Sequence, residues 1–109
     1  MAGDAVIRSE ANILNEIMIA LSQSGCLIWR NNTGVLKDSN GRPIKFGLCK
    51  GSADLIGVAK DGRFLAVECK ISTGRVRPEQ LTFIAAVKRA GGRAGIARSV
   101  SDALKIALD

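Results

Sequence analysis

The chain contains no histidine and no tyrosine among its 109 residues. Without histidine there is no His-based zinc site, no HNH-type nuclease centre and no Ser-His-Asp triad. Without tyrosine there is no tyrosine recombinase chemistry and no tyrosine-linked DNA intermediate. Aromatic residues make up only 4% of the sequence, which argues against reading single strands by base stacking. The three cysteines, Cys26, Cys49 and Cys69, are odd in number and lack C-x-x-C spacing. That argues against a zinc ribbon or a disulfide framework and for a reducing cytosol. No apolar run approaches the roughly 18 to 20 residues of a membrane span. The opening MAGDAVIRSE shows no basic segment followed by an apolar one, so no secretory signal is expected. Together these features predict a cytoplasmic protein with no membrane association and no small-molecule cofactor.

What is present is a basic chain with a substantial apolar fraction. Lysine and arginine number 16 against 10 acids, a net charge of +6, and 47% of residues are hydrophobic. The length suits one domain over residues 1–109 with a real core, and the charge suits a polyanionic partner such as nucleic acid.

The informative stretch is GSADLIGVAKDGRFLAVECK, residues 51–70. Side chains alternate across a strand, so Glu68 and Lys70 share one face while Leu65, Val67 and Cys69 form the other, core-like face. Asp61-Gly62 is a hairpin-turn signal between this run and Ala53–Ala59. A hairpin there brings Asp54 towards Glu68. Two carboxylates and an ammonium at one sheet end suit a divalent metal and a phosphodiester: hard oxygens for Mg²⁺, and a lysine to orient water or offset charge building on phosphorus. The plain alternative for an E-x-K pair is a solvated charge pair.

Residues 4–23 read as a first helix. With about 100° per residue and Ile7 as origin, Ala11, Leu14, Ile17, Met18 and Leu21 form an apolar stripe, with Val6 at its margin. Glu10 falls on that stripe and Glu16 on the polar face. Glu10 either salt-bridges an arginine or lies at the rim of the stripe, or points into the site of Asp54 and Glu68. Ile19 falls outside the stripe. Gly25 ends the helix. Cys26–Trp29 reads as a strand, followed by the polar loop Arg30-Asn31-Asn32-Thr33-Gly34. There Arg30 and the two asparagines suit phosphate or base edges, or an ordinary Asx turn. Residues 34–50 carry Lys37, Arg42, Lys45 and Lys50. Asp38–Gly41 is a turn, and Arg42–Phe46 is a short strand or part of a basic loop.

Pro78 opens a helix to about Ala90, with Phe83, Ile84, Val87 and Ala90 as its stripe. Gln80 aligns with that stripe, as a capping residue or as a site group. Arg75, Arg77, Arg89 and Arg93 are basic positions open to phosphate contact or solvent. Gly95–Arg98 is a last strand, and Ser99 or Ser101 caps a helix from Asp102 to Leu108. The order α-β-(β)-β-β-α-β-α implies an α/β fold, a mixed sheet with helices on its faces.

An inward Glu on a first helix, then D-x(n)-E-x-K on a hairpin, then an inward Gln, resembles the PD-(D/E)-x-K nuclease superfamily. SEANILNEI, WRNNTG, GSADLIG, VECK and PEQ resemble more closely the VRR-NUC family, the virus-type replication-repair nucleases, over about Ser9 to Leu104. The resemblance implies a restriction-endonuclease-like core. It assigns the acidic site to Glu10, Asp54 and Glu68, with Lys70 as catalytic lysine and Gln80 as supporting group. The expected metal ligands are Asp54, Glu68, the backbone carbonyl of Cys69, and Glu10. Ala53 stands where the superfamily name has proline, which only shapes the approach to the Asp. The expected cofactor is Mg²⁺, with Mn²⁺ able to substitute. The expected partners are DNA, branched forms such as four-way junctions included, and a second copy in a homodimer. Arg30, Asn31, Asn32, Lys50, Arg75 and Arg77 are the expected DNA contacts. The rivals are a non-catalytic nucleic-acid-binding module of the same fold and a restriction-like or archaeal-resolvase-like nuclease of duplex DNA.

Overall fold

The computed structural model describes residues 9–109. Its elements are α1 (Glu10–Gln23), β1 (Leu27–Arg30), β2 (Gly34–Lys37), β3 (Pro43–Phe46), β4 (Leu55–Val58), β5 (Phe64–Cys69), α2 (Pro78–Arg89), β6 (Arg93–Ala97) and α3 (Val100–Leu108). Asp4, Val6 and Ile7, expected in the first helix, lie outside the described residues.

Four strands form one mixed sheet in the order β1-β4-β5-β6. β4 pairs antiparallel with β1 and β5, and β5 pairs parallel with β6. The β4–β5 hairpin turns where the Asp-Gly pair predicts. Gly62 takes φ 89°, and the Asp61 carboxylate accepts from the Arg63 N–H at 3.1 Å. This turn is also tied to β6, because Arg93 donates to Asp61 through two nitrogens at 2.8 and 3.0 Å. Arg93 is therefore a structural residue at the turn end of the sheet, beside Leu65 and away from Glu68.

Helices cover both faces of the sheet. α1 and α3 bury Ile13, Ile17, Leu21, Ala103 and Ala107 against Ile28, Leu55, Leu65, Val67 and Cys69. On the other face α2 sets Ile84, with Phe83 and Val87, against Ala66 and Ala94. β5 is thus covered on both sides, and every residue from Leu65 to Cys69 is buried. The stripe of α1 is shifted from the expected one: Ile13 joins it and Ala11 is exposed. Ala90 on α2 is exposed as well, since it caps the helix beyond the edge of the sheet.

Helix ends follow the sequence signals. Ser9 and Ser99 cap α1 and α3, accepting from the N–H groups of Asn12 and Asp102 at 3.1 Å each. Gly25 takes φ 95° just after α1. Arg30 closes β1 rather than opening a loop.

Residues 34–46, ambiguous in the sequence, form a separate two-stranded sheet. The register pairs Leu36 with Ile44 and Gly34 with Phe46. One face of this hairpin is therefore Gly34, Leu36, Ile44 and Phe46, and the other is Val35, Lys37, Pro43 and Lys45. Its apolar residues are exposed, Leu36 at 65% and Ile44 at 51%. No helix among the described residues is long and apolar enough to cross a membrane.

Candidate active site

Strand alternation sends Leu65, Val67 and Cys69 into the α1–α3 layer and Glu68 and Lys70 to the α2 side. Both are buried, Glu68 at 2% and Lys70 at 9% exposure. This rules out the solvated charge pair. Burial of a carboxylate demands partners, and Glu68 has one on each oxygen. Oε1 accepts from the Asp54 N–H at 3.1 Å. Oε2 accepts from the Gln80 amide and faces the Lys70 ammonium at 3.5 Å.

Asp54 completes a reciprocal clasp: its Oδ2 accepts from the Cys69 N–H at 3.0 Å. Each acid is fastened to the backbone of the strand carrying the other, so the pair moves with β4 and β5. Gln80 fills both roles the sequence left open. Its Oε1 accepts from the Arg77 N–H at 2.9 Å, closing the first turn of α2, while its Nε2 reaches Glu68.

The approach to Asp54 is braced from two sides. Gly51 takes φ 83°, and a Cβ there would lie 2.5 Å from the Glu79 carbonyl oxygen, so the loop sits directly on the first turn of α2. Asn31 holds the same segment. Its Nδ2 donates to Ser52 Oγ at 2.7 Å and to the Ala53 carbonyl at 2.9 Å, and its backbone N–H donates to the Asp54 carbonyl at 2.8 Å. The half-buried Asn31 side chain is thus engaged within the protein. Sequence reasoning noticed this residue as polar loop and missed the bracing role, because its partners lie about twenty residues away.

Burial pushes the Glu68 carboxyl up from its ordinary 4.5 to about 7. The Asp54 charge adds to the rise, and Lys70 opposes it. The buried Cys69 thiol is pushed up to about 12, first by desolvation and then by the charges of Asp54, Glu68 and Glu10.

Glu10 is the first residue of α1 and is exposed. Its helix packs on the Cys69 side of β5, whereas Glu68 projects to the α2 side. Among the described residues no group of three or more acidic, cysteine or histidine side chains is arranged to hold a metal. The structure therefore brings together Asp54, Glu68, Lys70 and Gln80, with Glu10 near enough to act on Cys69 but outside the clasp. Of the expected DNA contacts, Lys50, Arg75, Arg77, Arg30 and Asn32 are exposed. Arg30 donates to the Asn15 side chain, and Arg77 faces Glu79 at 3.7 Å.

An Asp on one strand, an E-x-K on its neighbour and a Gln on the following helix now stand in one buried cluster. The VRR-NUC domain description matches residues 8–101, nearly the whole chain. The chain belongs to the VRR-NUC family. As a VRR-NUC protein it is a nuclease of the PD-(D/E)-x-K type that acts on DNA. Its mixed sheet flanked by helices is the nuclease-like core that the resemblance implies. Searches of curated proteins and of solved structures each give no match.

The cluster's chemistry fits a hard divalent cation. Two carboxylate oxygen donors stand side by side, and their mutual repulsion is part of what raises Glu68. Mg²⁺ takes one or two carboxylates and keeps several waters, so it needs no third acid. Zinc's preferred nitrogen and sulfur donors are not supplied here.

Proposed function

We propose that this VRR-NUC protein is a Mg²⁺-dependent endonuclease that hydrolyses phosphodiesters in branched DNA, four-way junctions included, and that Mn²⁺ can replace Mg²⁺. The observation that carries the reading is the clasp of Asp54 and Glu68, with Lys70 and Gln80 on the same carboxylate. Asp54, Glu68 and the Cys69 backbone carbonyl would hold the cation, and Glu10 would reach it through water. The bound cation supplies Lewis-acid polarisation of the phosphate and a more acidic water.

The chain's own groups do the rest. Gln80 and the Asp54 N–H fix the Glu68 carboxylate, so its orientation is set before substrate arrives. Lys70 places an ammonium within reach of the attacking water and the scissile phosphate, orienting the one and offsetting charge on the other. Arg30, Asn32, Lys50, Arg75 and Arg77 would meet the phosphate backbone, with Asn31 acting mainly through the loop it braces. Recognition of this kind reads shape and charge rather than base sequence.

Two cuts in a junction require two sites, and a two-fold dimer supplies them. The apolar face of the β2–β3 hairpin supports this, because an uncovered two-stranded hairpin is marginal in water. Ile19 on α1, 58% exposed, is a second contributor. Sedimentation velocity should show a dimer that Ile44→Lys dissociates; a wild-type monomer at high micromolar concentration overturns the dimer.

The deciding experiment is cleavage of end-labelled four-way junction and matched duplex in Mg²⁺ or EDTA, with wild type beside Asp54→Asn. Metal-dependent cutting of the junction alone, lost in the variant, is expected. Cutting of both DNAs removes the branched preference. Binding without cutting in Mg²⁺ and in Mn²⁺ overturns the catalytic reading.

A further inference from the structure

The connection from β5 to α2 starts at Lys70 and ends at the turn that carries Gln80. Its first four residues after the lysine close on themselves, the Gly74 N–H donating to the Ile71 carbonyl at 3.0 Å. This leaves carbonyl oxygens turned towards β6, where one guanidinium nitrogen meets them. Arg98 Nη1 donates to the carbonyls of Ile71 at 2.6 Å and Gly74 at 2.9 Å, with Ser72 at 3.4 Å.

Arg98 is itself anchored. Its N–H donates to Asp102 Oδ2 at 2.9 Å at the start of α3. The carbonyl just before it, that of Ala97, accepts from the Lys70 N–H at 3.0 Å. The backbone of Lys70 and the turn after it therefore hang from two consecutive residues at the end of β6.

The turn also lies beside the lysine side chain. A Cβ added at Gly74 would stand 3.3 Å from Lys70 Cδ, so Gly74 flanks the aliphatic stem with room for little more than its hydrogen. A lysine side chain has four rotatable stem bonds and much rotamer entropy to lose, and an ammonium free to sample those rotamers is poorly placed for chemistry. Walls along the stem remove that freedom before substrate binds.

We propose that Arg98 is a positioning residue for Lys70. By gathering the carbonyls of Ile71, Ser72 and Gly74 it seats the 71–74 turn on the lysine stem and keeps Nζ at the Glu68 carboxylate. The proposal rests on the reading of Lys70 as the lysine that serves the reaction. Arg98 itself touches neither substrate nor metal.

The test uses full-length Arg98→Gln and Arg98→Lys, with Gly74→Ala as the variant that keeps the Arg98 side chain and crowds the turn where it meets the stem, its Cβ falling 3.3 Å from both Lys70 Cδ and the Ile71 carbonyl oxygen. Three quantities are read: single-turnover cleavage at saturating DNA, DNA affinity in Ca²⁺, and the ¹³Cε and ¹Hε resonances of Lys70. For Arg98→Gln the cleavage rate should fall about tenfold or more, the scale of a small misplacement of a reacting group, with affinity unchanged. The Lys70 resonances should collapse towards those of exposed lysines. Arg98→Lys should recover part of the rate, and Gly74→Ala should shift the Lys70 resonances and slow cleavage with melting unchanged. Lys70 resonances and rate unaltered in folded Arg98→Gln overturn the proposal. If Arg98→Gln does not fold, unaltered resonances and rate in Gly74→Ala overturn it instead. A wild-type protein that cuts no DNA defeats the nuclease reading, while the Lys70 resonances still decide whether Arg98 holds the lysine.

Discussion

Raising the pH of the metal-free protein should cost it stability through one carboxyl group. Glu68 is 2% exposed, and burial beside Asp54 raises its carboxyl from 4.5 to about 7. The folded state holds this proton more tightly than the unfolded chain does. Its contribution is therefore complete below about pH 4.5, shrinks as pH climbs, and is lost above about 7. The gap between those values corresponds to about 3 kcal/mol as an upper bound, because part of the rise comes from a neighbouring charge and not from burial alone. For a domain of this size that is a fall in Tm on the order of ten degrees. Other carboxylates titrate in the same range, so the assay compares two curves. Thermal unfolding in EDTA is followed from pH 4.5 to 8.5 for wild type and Glu68→Gln, and the difference between them isolates Glu68. Wild type should lose ground against the variant as pH rises through 5 to 7. Replacing EDTA with Mg²⁺ should return the loss at high pH, since a bound cation favours the carboxylate. A difference that is flat, or that favours wild type as pH rises, refutes the account of a carboxylate destabilised by burial.

Asn31→Ala removes donors to Ser52 Oγ and the Ala53 carbonyl; unfolding in urea should show a loss of about 1–3 kcal/mol, and cleavage should fall with it because the Asp54 segment loosens. Leu21→Ala, at a fully buried position, should cost about 2–5 kcal/mol by the same measurement and leave the metal dependence of cleavage intact. Glu10→Gln should slow cleavage far more than Glu16→Gln when rates are compared at limiting Mg²⁺, and equal effects would remove Glu10 from the reaction.

The clasp was legible because each of its parts obeys a local rule. Period-two alternation paired Glu68 with Lys70, the Asp-Gly turn brought Asp54 across, and helical spacing turned Gln80 inward. At Glu10 the same reasoning gives the side of the helix but not the exposure. Its spacing from Ile13, Ile17 and Leu21 does place it on the buried stripe, but periodicity gives direction and not depth, and at the first turn α1 has passed beyond what covers it. Asn31 and Arg98 carry no such signature. Their roles depend on carbonyls far away in the chain, and a polar residue in a loop looks alike whether it faces water or a distant turn. Residues 34–46 were ambiguous because lysines interrupt a short apolar pattern, and its amphipathic character emerges only with the pairing register.

The turn that joins β4 to β5 lies at the opposite end of those strands from Asp54 and Glu68. The Asp54–Glu68 clasp is therefore set by strand register, while the β2–β3 hairpin at the open end pairs only with itself. Lengthening or recharging that hairpin leaves the pairing of β4 with β5 untouched. With that layout the hairpin can be redesigned in length or charge while Asp54 and Glu68 keep their places, which separates the surface the protein presents from the carboxylates it holds.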